Sequence, residues 1–254
     1  MCGRYELHSQ PAAIALAFGL AWPPELSPRY NIAPMQDVPV IRIHGEGRRE
    51  LVQMRWGLVP RFAKNPAIGA RMINARAESV ATRPVLRNAF RRHRCLFPAN
   101  AFYEWRGGPG GSRLPMRIGL ADHGLFAMAG LFERWLDPHG EPLDTCTILT
   151  TQANALVAPV HERMPLILDP AQYAAWLDPD AQDPVQLLRP FPPERMQAWP
   201  VSTRVNNVRN DDAGLIEPVE LSLQDETNAP RSVARGENAA DTDNTPAPAQ
   251  AELF

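Results

Sequence analysis

The chain has 254 residues, 44% of them hydrophobic and 21% charged, which is the composition of a globular protein that buries a sizeable core. No apolar run approaches the roughly 20 residues that cross a bilayer, and the first residues lack the basic leader and apolar core of a signal or transit peptide. These features argue against a membrane or secreted protein and predict a cytoplasmic one. A monomer is the simplest expectation for its assembly.

The pattern of apolar and turn-forming residues predicts the secondary structure in chain order. Ser9 as a capping residue and Pro11 in the first turn predict a short helix that ends near Phe18. Strands are predicted at 38–43, 51–56, 94–98, 101–105, 115–120, 125–132 and 145–151, and helices at 77–92, interrupted near Pro84, and at 170–177. Because strands and helices do not alternate regularly, we predict an α+β domain with a largely antiparallel, barrel-like sheet and short flanking helices.

The net charge of −2 conceals an uneven distribution of charge along the chain. Residues 51–94 contain ten Arg or Lys and a single acid, whereas residues 222–254 contain six acids and two arginines. The basic cluster is typical of a phosphate-binding face; a solvated helix face is the alternative, above all for Arg87, Arg91 and Arg92. Apolar periodicity ends near residue 222, so we predict one domain at 2–222 and a disordered acidic tail at 223–254.

The three cysteines, Cys2, Cys95 and Cys146, are odd in number and lack the paired spacing of a zinc site or a disulfide framework. We therefore expect reduced thiols and no metal or other cofactor. Cys95 and Cys146 lie in apolar strand-like runs, where a cysteine is a small buried hydrophobe. Cys2 is the cysteine placed for chemistry.

Cys2 becomes the amino-terminal residue if Met1 is removed, as is usual when a small residue follows the initiator methionine. It then carries an amine and a thiol on adjacent carbons, a pair that condenses with an aldehyde to an imine and then to a five-membered thiazolidine. An α-amine has a pKa of about 7.7–8.0 against about 10.4 for lysine, so more of it is nucleophilic near neutral pH. Cys2 is therefore a candidate aldehyde trap, although the residue alone is weak evidence.

A series of short blocks resembles the SOS response-associated peptidase (SRAP) family, in family order and over residues 2–220. The blocks are Met-Cys-Gly-Arg-Tyr at the start, then Tyr30-Asn-Ile-Ala-Pro34, Arg55-Trp-Gly-Leu-Val-Pro60, Asn74-Ala-Arg-Ala-Glu78, Arg94-Cys-Leu-Phe-Pro98, Phe102-Tyr-Glu-Trp105, Ala129-Gly-Leu-Phe132, Val160-His-Glu-Arg-Met-Pro165 and Val205-Asn-Asn-Val-Arg-Asn210. The resemblance implies a bacterial cytoplasmic protein that attaches covalently to abasic sites in single-stranded DNA through its amino-terminal cysteine and associates with the nucleoid when it acts.

The resemblance also implies roles for four residues. Cys2 is the family's reactive cysteine, and Asn74 matches the asparagine that positions the cysteine amine and the opened sugar. Glu104 matches the catalytic glutamate that shuttles protons, and its alternation with apolar neighbours predicts a buried carboxyl of raised pKa. His161 matches the histidine that assists opening of the abasic sugar. Whether the adduct is reversed, or accompanied by strand cleavage in a lyase reaction, stays open.

Single-stranded DNA is bound by charge neutralisation together with flat surfaces on which bases stack. By resemblance the phosphate ligands would be Arg4, Arg76, Arg83 and Arg163, and the residues lining the cleft or separating bases would be Asn31, Pro34, Trp56 and Trp105. Core packing is an equal alternative for Trp56 and Trp105.

One block departs from the family's pattern. Asn100 and Ala101 stand where Asp and Gly commonly precede the Phe-Tyr-Glu block. Since glycine alone takes positive φ freely, the loss of this glycine puts the local turn conformation in doubt.

The chain ends in a pentapeptide that resembles the Gln-x-x-Leu-Phe motif with which bacterial repair proteins bind the sliding clamp. Gln250 would anchor it, and Leu253 and Phe254 would fill an apolar pocket. Two other functions also fit the sequence: a peptidase in which Cys2 is an amino-terminal nucleophile, and a non-catalytic binder of single-stranded DNA that needs only the arginine cluster.

Overall fold

A computed structural model describes residues 2–45, 47–181 and 184–220. The predicted tail, with Gln250, Leu253 and Phe254, lies outside these residues. The strands are β1 (Tyr5–Leu7), β2 (Arg29–Ile32), β3 (Asp37–Ile43), β4 (Arg49–Trp56), β5 (Asn74–Arg76), β6 (Arg94–Ala99), β7 (Ala101–Gly107), β8 (Arg113–Leu120), β9 (Phe126–Leu136), β10 (Pro142–Gln152), β11 (Arg163–Pro165), β12 (Ile167–Leu168) and β13 (Met196–Pro200). The α-helices are α1 (Pro11–Phe18), α2 (Ala77–Val80), α3 (Arg87–Arg92) and α4 (Tyr173–Leu177).

Five strands close into a barrel. The ring runs β4, β3, β6, β9, β10 and back to β4, and every pairing in it is antiparallel except the parallel contact between β10 and β4. A second, antiparallel sheet has the order β13, β8, β7, β1, β2. The prediction of an α+β fold with a largely antiparallel, barrel-like core is therefore confirmed.

The barrel interior depends on a glycine in β9. A Cβ added at Gly130 would lie 2.3 Å from the ring of Phe97 and 3.0 Å from the Cys95 sulfur. Phe97 thus fills the space that a side chain at Gly130 would need. Cys95 and Cys146 are buried and unbridged, as their apolar surroundings predict.

The helices follow the sequence signals with one correction. Pro11 opens α1, and Gly19 ends it in the left-handed conformation. Ser9, however, does not cap this helix: the capping position is Gln10, which makes no side-chain capping bond. The Ser9 hydroxyl instead accepts a hydrogen bond from the Asn100 side chain (2.8 Å), so it joins the corner between β6 and β7 to the end of β1.

The departure from the family pattern at this corner causes no strain. Among the described residues other than glycine, only Met35 and His123 have a positive φ, so Ala101 needs no glycine. The side-chain oxygen Asn100 Oδ1 accepts hydrogen bonds from the backbone N–H groups of His8 (2.9 Å) and Ser9 (3.1 Å). This corner therefore fixes β7 against β1, and with it the position of Glu104.

Candidate functional site

Cys2 is held at the point where the chain enters β1. Its side chain is buried, and its carbonyl accepts a hydrogen bond from the Asn74 amide (2.8 Å). Asn74 begins β5, which pairs in parallel with β10 inside the barrel sheet. The second polar atom of this amide, Asn74 Oδ1, is buried without a hydrogen-bond partner among the described residues. The structure thus leaves an acceptor available beside the amino terminus.

Glu104 reaches the same place from β7. β7 pairs with β1 in antiparallel register, and the Tyr103 N–H donates to the Arg4 carbonyl (2.9 Å). The Glu104 side chain is buried, and this burial raises its carboxyl pKa, with the nearby charge of His161 acting in the opposite direction. Burial and the negative charge of Glu104 in turn raise the pKa of the Cys2 thiol. The Glu104 carboxyl group is therefore close enough to His161 to be affected by its charge, and close enough to Cys2 to raise the pKa of the thiol.

His161 lies just before β11 in a fixed orientation. Its Nδ1 accepts the backbone N–H of Arg163 (2.9 Å). An acceptor nitrogen carries no proton, so the proton of the neutral ring resides on Nε2. The ring can therefore present an N–H donor. All four residues that the resemblance assigns to chemistry lie together, although they come from four separate segments of the chain.

Two of the expected DNA ligands are occupied inside the protein. Arg4 Nη1 donates to Asn31 Oδ1 (2.7 Å) and to the Val205 carbonyl (2.7 Å), and burial lowers the pKa of its guanidinium group. The Asn31 amide donates to the carbonyls of Val205, Asn207 and Asn210. These bonds attach the start of β1 and β2 to the segment at 203–210, so Arg4 and Asn31 make internal framework contacts in this structure.

The two tryptophans differ in their surroundings. Trp56 has no exposed surface, donates to the Ile73 carbonyl (2.8 Å) and packs edge-on against Tyr5. The structure therefore favours the core alternative for Trp56, because a buried ring offers no face to a base. Trp105 is only half-buried and lies under the Arg4 guanidinium group, so a surface remains for stacking.

The remaining expected ligands are exposed or half-buried. Arg76 and Arg83 are exposed, and Pro34 is half-buried. Arg163 forms a two-point ion pair with Glu78 (2.9 Å for each bond) and also donates to the Thr150 carbonyl. Burial alone would raise the Glu78 pKa, but the hydrogen bonds from Arg163 outweigh it and the pKa is lowered. Arg163 is thus neutralised within the protein in this structure.

The basic cluster at 51–94 is smaller on the surface than the sequence suggests. Arg94 is buried, and its guanidinium group donates to backbone carbonyls that include Trp176 and Phe90. Arg94 joins α3 to α4. The prediction that it belongs to a phosphate-binding face was therefore wrong. Arg87, Arg91 and Arg92 are exposed on α3.

Comparison with known proteins assigns the chain to a family. Residues 1–208 match the family described as SOS response associated peptidase (SRAP). The chain belongs to the SRAP family. Abasic site processing protein YoqW of Bacillus subtilis is 43% identical over 223 residues, which cover 85% of this chain and 99% of that protein. Abasic site processing protein HMCES of Gallus gallus is 33% identical over 239 residues, 81% of this chain and 70% of that protein.

Two solved structures share the fold of this chain. A crystal structure of a protein from Bacteroides thetaiotaomicron superposes with a TM-score of 0.76 at 26% identity, covering 86% of this chain and all of that one. A protein from Bordetella bronchiseptica superposes with a TM-score of 0.70 at 28% identity, over 79% of this chain and all of that one.

A buried ionic network behind the SRAP site is absent from the sequence-based predictions. Glu6, in the middle of β1, accepts hydrogen bonds from Arg117 Nε (3.0 Å) and from the Tyr103 hydroxyl (2.5 Å), and lies 3.2 Å from the His8 ring. These bonds keep the Glu6 pKa low although burial opposes this. The sequence offers one signal for this network: Glu6 is a charged residue between two apolar ones. That signal does not identify the partners of Glu6.

No helix among the described residues is long and apolar enough to cross a membrane. Nor do these residues include a group of three or more His, Cys, Asp or Glu side chains arranged to hold a metal ion.

Proposed function

We propose that this SRAP protein captures abasic sites in single-stranded DNA as a covalent adduct, through the amine and thiol of Cys2 once Met1 has been removed. The observation that carries the proposal is the position of Cys2: buried, bound through its carbonyl to Asn74, and electrostatically coupled to Glu104. The names of its relatives, abasic site processing proteins in a bacterium and a vertebrate, support the same activity.

The chemistry uses both functional groups of Cys2. The ring-opened abasic sugar carries an aldehyde at C1′, and the free amine adds to this carbon to give a carbinolamine. Loss of one water, formed from the former aldehyde oxygen and a proton from an acid, leaves an imine that is protonated on nitrogen. The thiol sulfur then adds to the imine carbon and its proton returns to the conjugate base of that acid, which closes the thiazolidine. Two bonds to C1′ form, and one water is the only product released.

Glu104 is suited to both proton transfers. Because burial raises its pKa, a larger fraction of the carboxyl group is protonated near neutral pH than in water, and it can protonate the departing oxygen. Its carboxylate form then accepts the proton of the Cys2 thiol, which burial keeps protonated until attack. His161, with its donor at Nε2, assists opening of the sugar. The buried side-chain oxygen Asn74 Oδ1 orients the amine.

The strand itself would follow the exposed rim. Arg76 and Arg83 provide exposed positive charge, and Trp105 and Pro34 provide partly exposed surfaces for bases. Arg163 would join them if a phosphate displaced Glu78. Arg4 and Asn31 would support this cleft from behind.

The test is a denaturing gel after incubation with an oligonucleotide that contains one abasic site. The parent chain should give a slower-migrating adduct and Cys2→Ala none, whereas Cys95→Ala, which removes another buried thiol, should react like the parent. Cys2→Ser keeps the amine and loses the thiol, so its imine should survive denaturation only after reduction with borohydride. Absence of an adduct from parent protein that lacks Met1 would refute the proposal.

Glu104 can be tested in the same assay. Glu104→Gln should slow adduct formation by roughly 10²–10⁴-fold, the usual contribution of a positioned acid–base group. Glu133→Gln is the matched control, since Glu133 is equally buried but lies on β9 beside His93. Equal rates for both variants would remove Glu104 from the mechanism.

A further inference from the structure

The turn between β2 and β3 contains an unusual backbone conformation. Met35 has a φ of 67° and follows Pro34. A proline followed by a residue with positive φ is the pattern of a type II turn, in which the second position normally belongs to glycine or asparagine. A methionine in this region strains the backbone, because its Cβ crowds the neighbouring carbonyl.

Core packing does not account for this strain. Met35 is 40% exposed, so a large part of its side chain contacts water rather than the interior. The turn is nevertheless held rigidly: the Met35 N–H donates to the Trp56 carbonyl (2.8 Å), and the Ala33 N–H donates to Gln36 Oε1 (3.1 Å). The fold therefore presents an apolar side chain outwards in a fixed, strained conformation.

The position of Met35 connects it to the candidate site. A Cβ built at Gly57 would lie 2.9 Å from Met35 Sδ and 2.8 Å from the Gly69 carbonyl oxygen, so the thioether packs where these two glycine backbones meet. Ile68, next to Gly69, is 41% exposed. The neighbouring residue Trp56 donates through its indole to the Ile73 carbonyl, immediately before Asn74.

Pro34, Met35 and Ile68 are therefore partly exposed apolar residues on two segments that meet at Gly57 and Gly69. The exposed Arg71 ends the 3₁₀ helix Pro66–Arg71 that carries Ile68. An apolar surface beside a cation is what an unpaired base and its phosphate require. A methionine suits such a surface, because its flexible, polarisable thioether contacts aromatic rings of different shapes.

We propose that Met35 is a DNA-positioning residue that packs against the unpaired base next to the captured abasic site. The inference rests on the proposed function, since it assumes that single-stranded DNA crosses this surface. The backbone strain at Met35 is retained because it fixes the exposed part of this side chain where the DNA would pass. The contact positions the strand and takes no part in the chemistry of Cys2.

The test separates binding from reaction by using Cys2→Ala as the parent, which cannot form the thiazolidine. Affinity is measured by fluorescence anisotropy with a single-stranded oligonucleotide carrying a tetrahydrofuran abasic analogue. Met35→Gly, which is compatible with positive φ, should weaken binding about fivefold or more while its melting temperature stays within about 4 °C of the parent. Met35→Leu keeps an apolar side chain and should bind within about twofold.

His123→Gly is the matched control, because His123 is the other described non-glycine residue with positive φ (58°) and lies in the connection between β8 and β9. It should leave affinity unchanged. Unchanged affinity in Met35→Gly, or an equal loss in His123→Gly, would overturn the proposal. The capture reaction is measured separately with reactive Cys2, so a failure of that chemistry would not be mistaken for a failure at Met35.

Discussion

Glu104 illustrates how the fold adjusts the chemistry of one side chain. The carboxyl group lies on a strand whose neighbours are buried, and β7 brings it to the amino terminus instead of to solvent. Removing water from a carboxyl group disfavours its charged form. The same burial that prepares an acid for proton transfer therefore makes the protein less stable when that acid is ionised.

This effect gives a prediction about stability and pH. Between the ordinary Glu104 pKa of 4.5 and its raised value, the folded protein binds more protons at this group than the unfolded chain. The free energy of unfolding should therefore fall as pH rises through this range, with a slope of at most about 1.4 kcal/mol per pH unit from this group.

Glu104→Gln removes that contribution. Urea unfolding of both proteins at a series of pH values from 4.5 upwards should show the variant gaining stability relative to the parent as pH increases. A difference that stays constant, or that declines with pH, would contradict a raised pKa at Glu104.

Four candidate site residues could be proposed from the sequence, whereas their surroundings could not be predicted. Cys2, Asn74, Glu104 and His161 each stand in a recognisable block, and the fold places them together. Arg4 has the residue type of a phosphate ligand, but its partner at Val205 lies 201 residues away in the chain. No local pattern specifies such a partner, so an exposed ligand and an internal anchor look alike in sequence.

At the scale of the elements, runs rich in β-branched and aromatic residues between turn signals predicted seven of the thirteen described strands to within a few residues, and missed the shorter strands β1, β2, β5, β11, β12 and β13. The interruption of the helix at 77–92 was also predicted, because a proline disfavours helical conformation in the residue before it. The closure of the barrel, by contrast, was not predicted from the sequence. It depends on the pairing of β10 with both β9 and β4, and a strand's sequence records which face is buried but not which strands lie beside it.

Gly130 provides a test of this closure. Gly130→Ala would force its Cβ against the Phe97 ring and the Cys95 sulfur, and overpacking of this kind costs about 1–3 kcal/mol. Gly107→Ala, also on a strand, is the control because nothing lies within 4 Å of its added Cβ. Chemical denaturation should show a lower free energy of unfolding for the first variant alone; equal stability of the two would contradict the packing described for the barrel.

For the whole molecule, net charge is a poor guide to the surface that would meet DNA. The acidic residues at 222–254 offset the basic cluster at 51–94 in the total of −2, although the two segments lie far apart in the chain. In addition, Arg94 is buried and so contributes no charge to the surface, and Glu78 neutralises Arg163. The residues of this cluster that remain exposed include Arg76 and Arg83, together with Arg87, Arg91 and Arg92 on α3.

The dependence of DNA affinity on salt measures this surface directly. For single strands, each phosphate contact contributes about 0.7 to the slope of log affinity against log salt. Arg76→Ala and Arg83→Ala should each reduce the slope by about that amount. Arg92→Ala, on α3 and 4.0 Å from Asp180, should leave it unchanged; a reduction for Arg92 alone would move the strand to another face.

The end of the chain supports a separate prediction about a partner. We propose that the terminal Gln250-Ala-Glu-Leu-Phe254 binds the bacterial sliding clamp. Deleting residues 250–254 should abolish binding to the purified clamp and leave adduct formation unchanged. Undiminished clamp binding by the truncated chain would refute the assignment of this pentapeptide.

Intact-protein mass spectrometry of the adduct tests the central proposal most directly. The proposal predicts one species whose mass is that of the chain without Met1 plus the abasic oligonucleotide minus one water, formed by the parent and by Cys95→Ala but not by Cys2→Ala. An adduct that retains Met1, or one that Cys2→Ala still forms, would show that the amine and thiol of Cys2 are not the groups that capture the lesion.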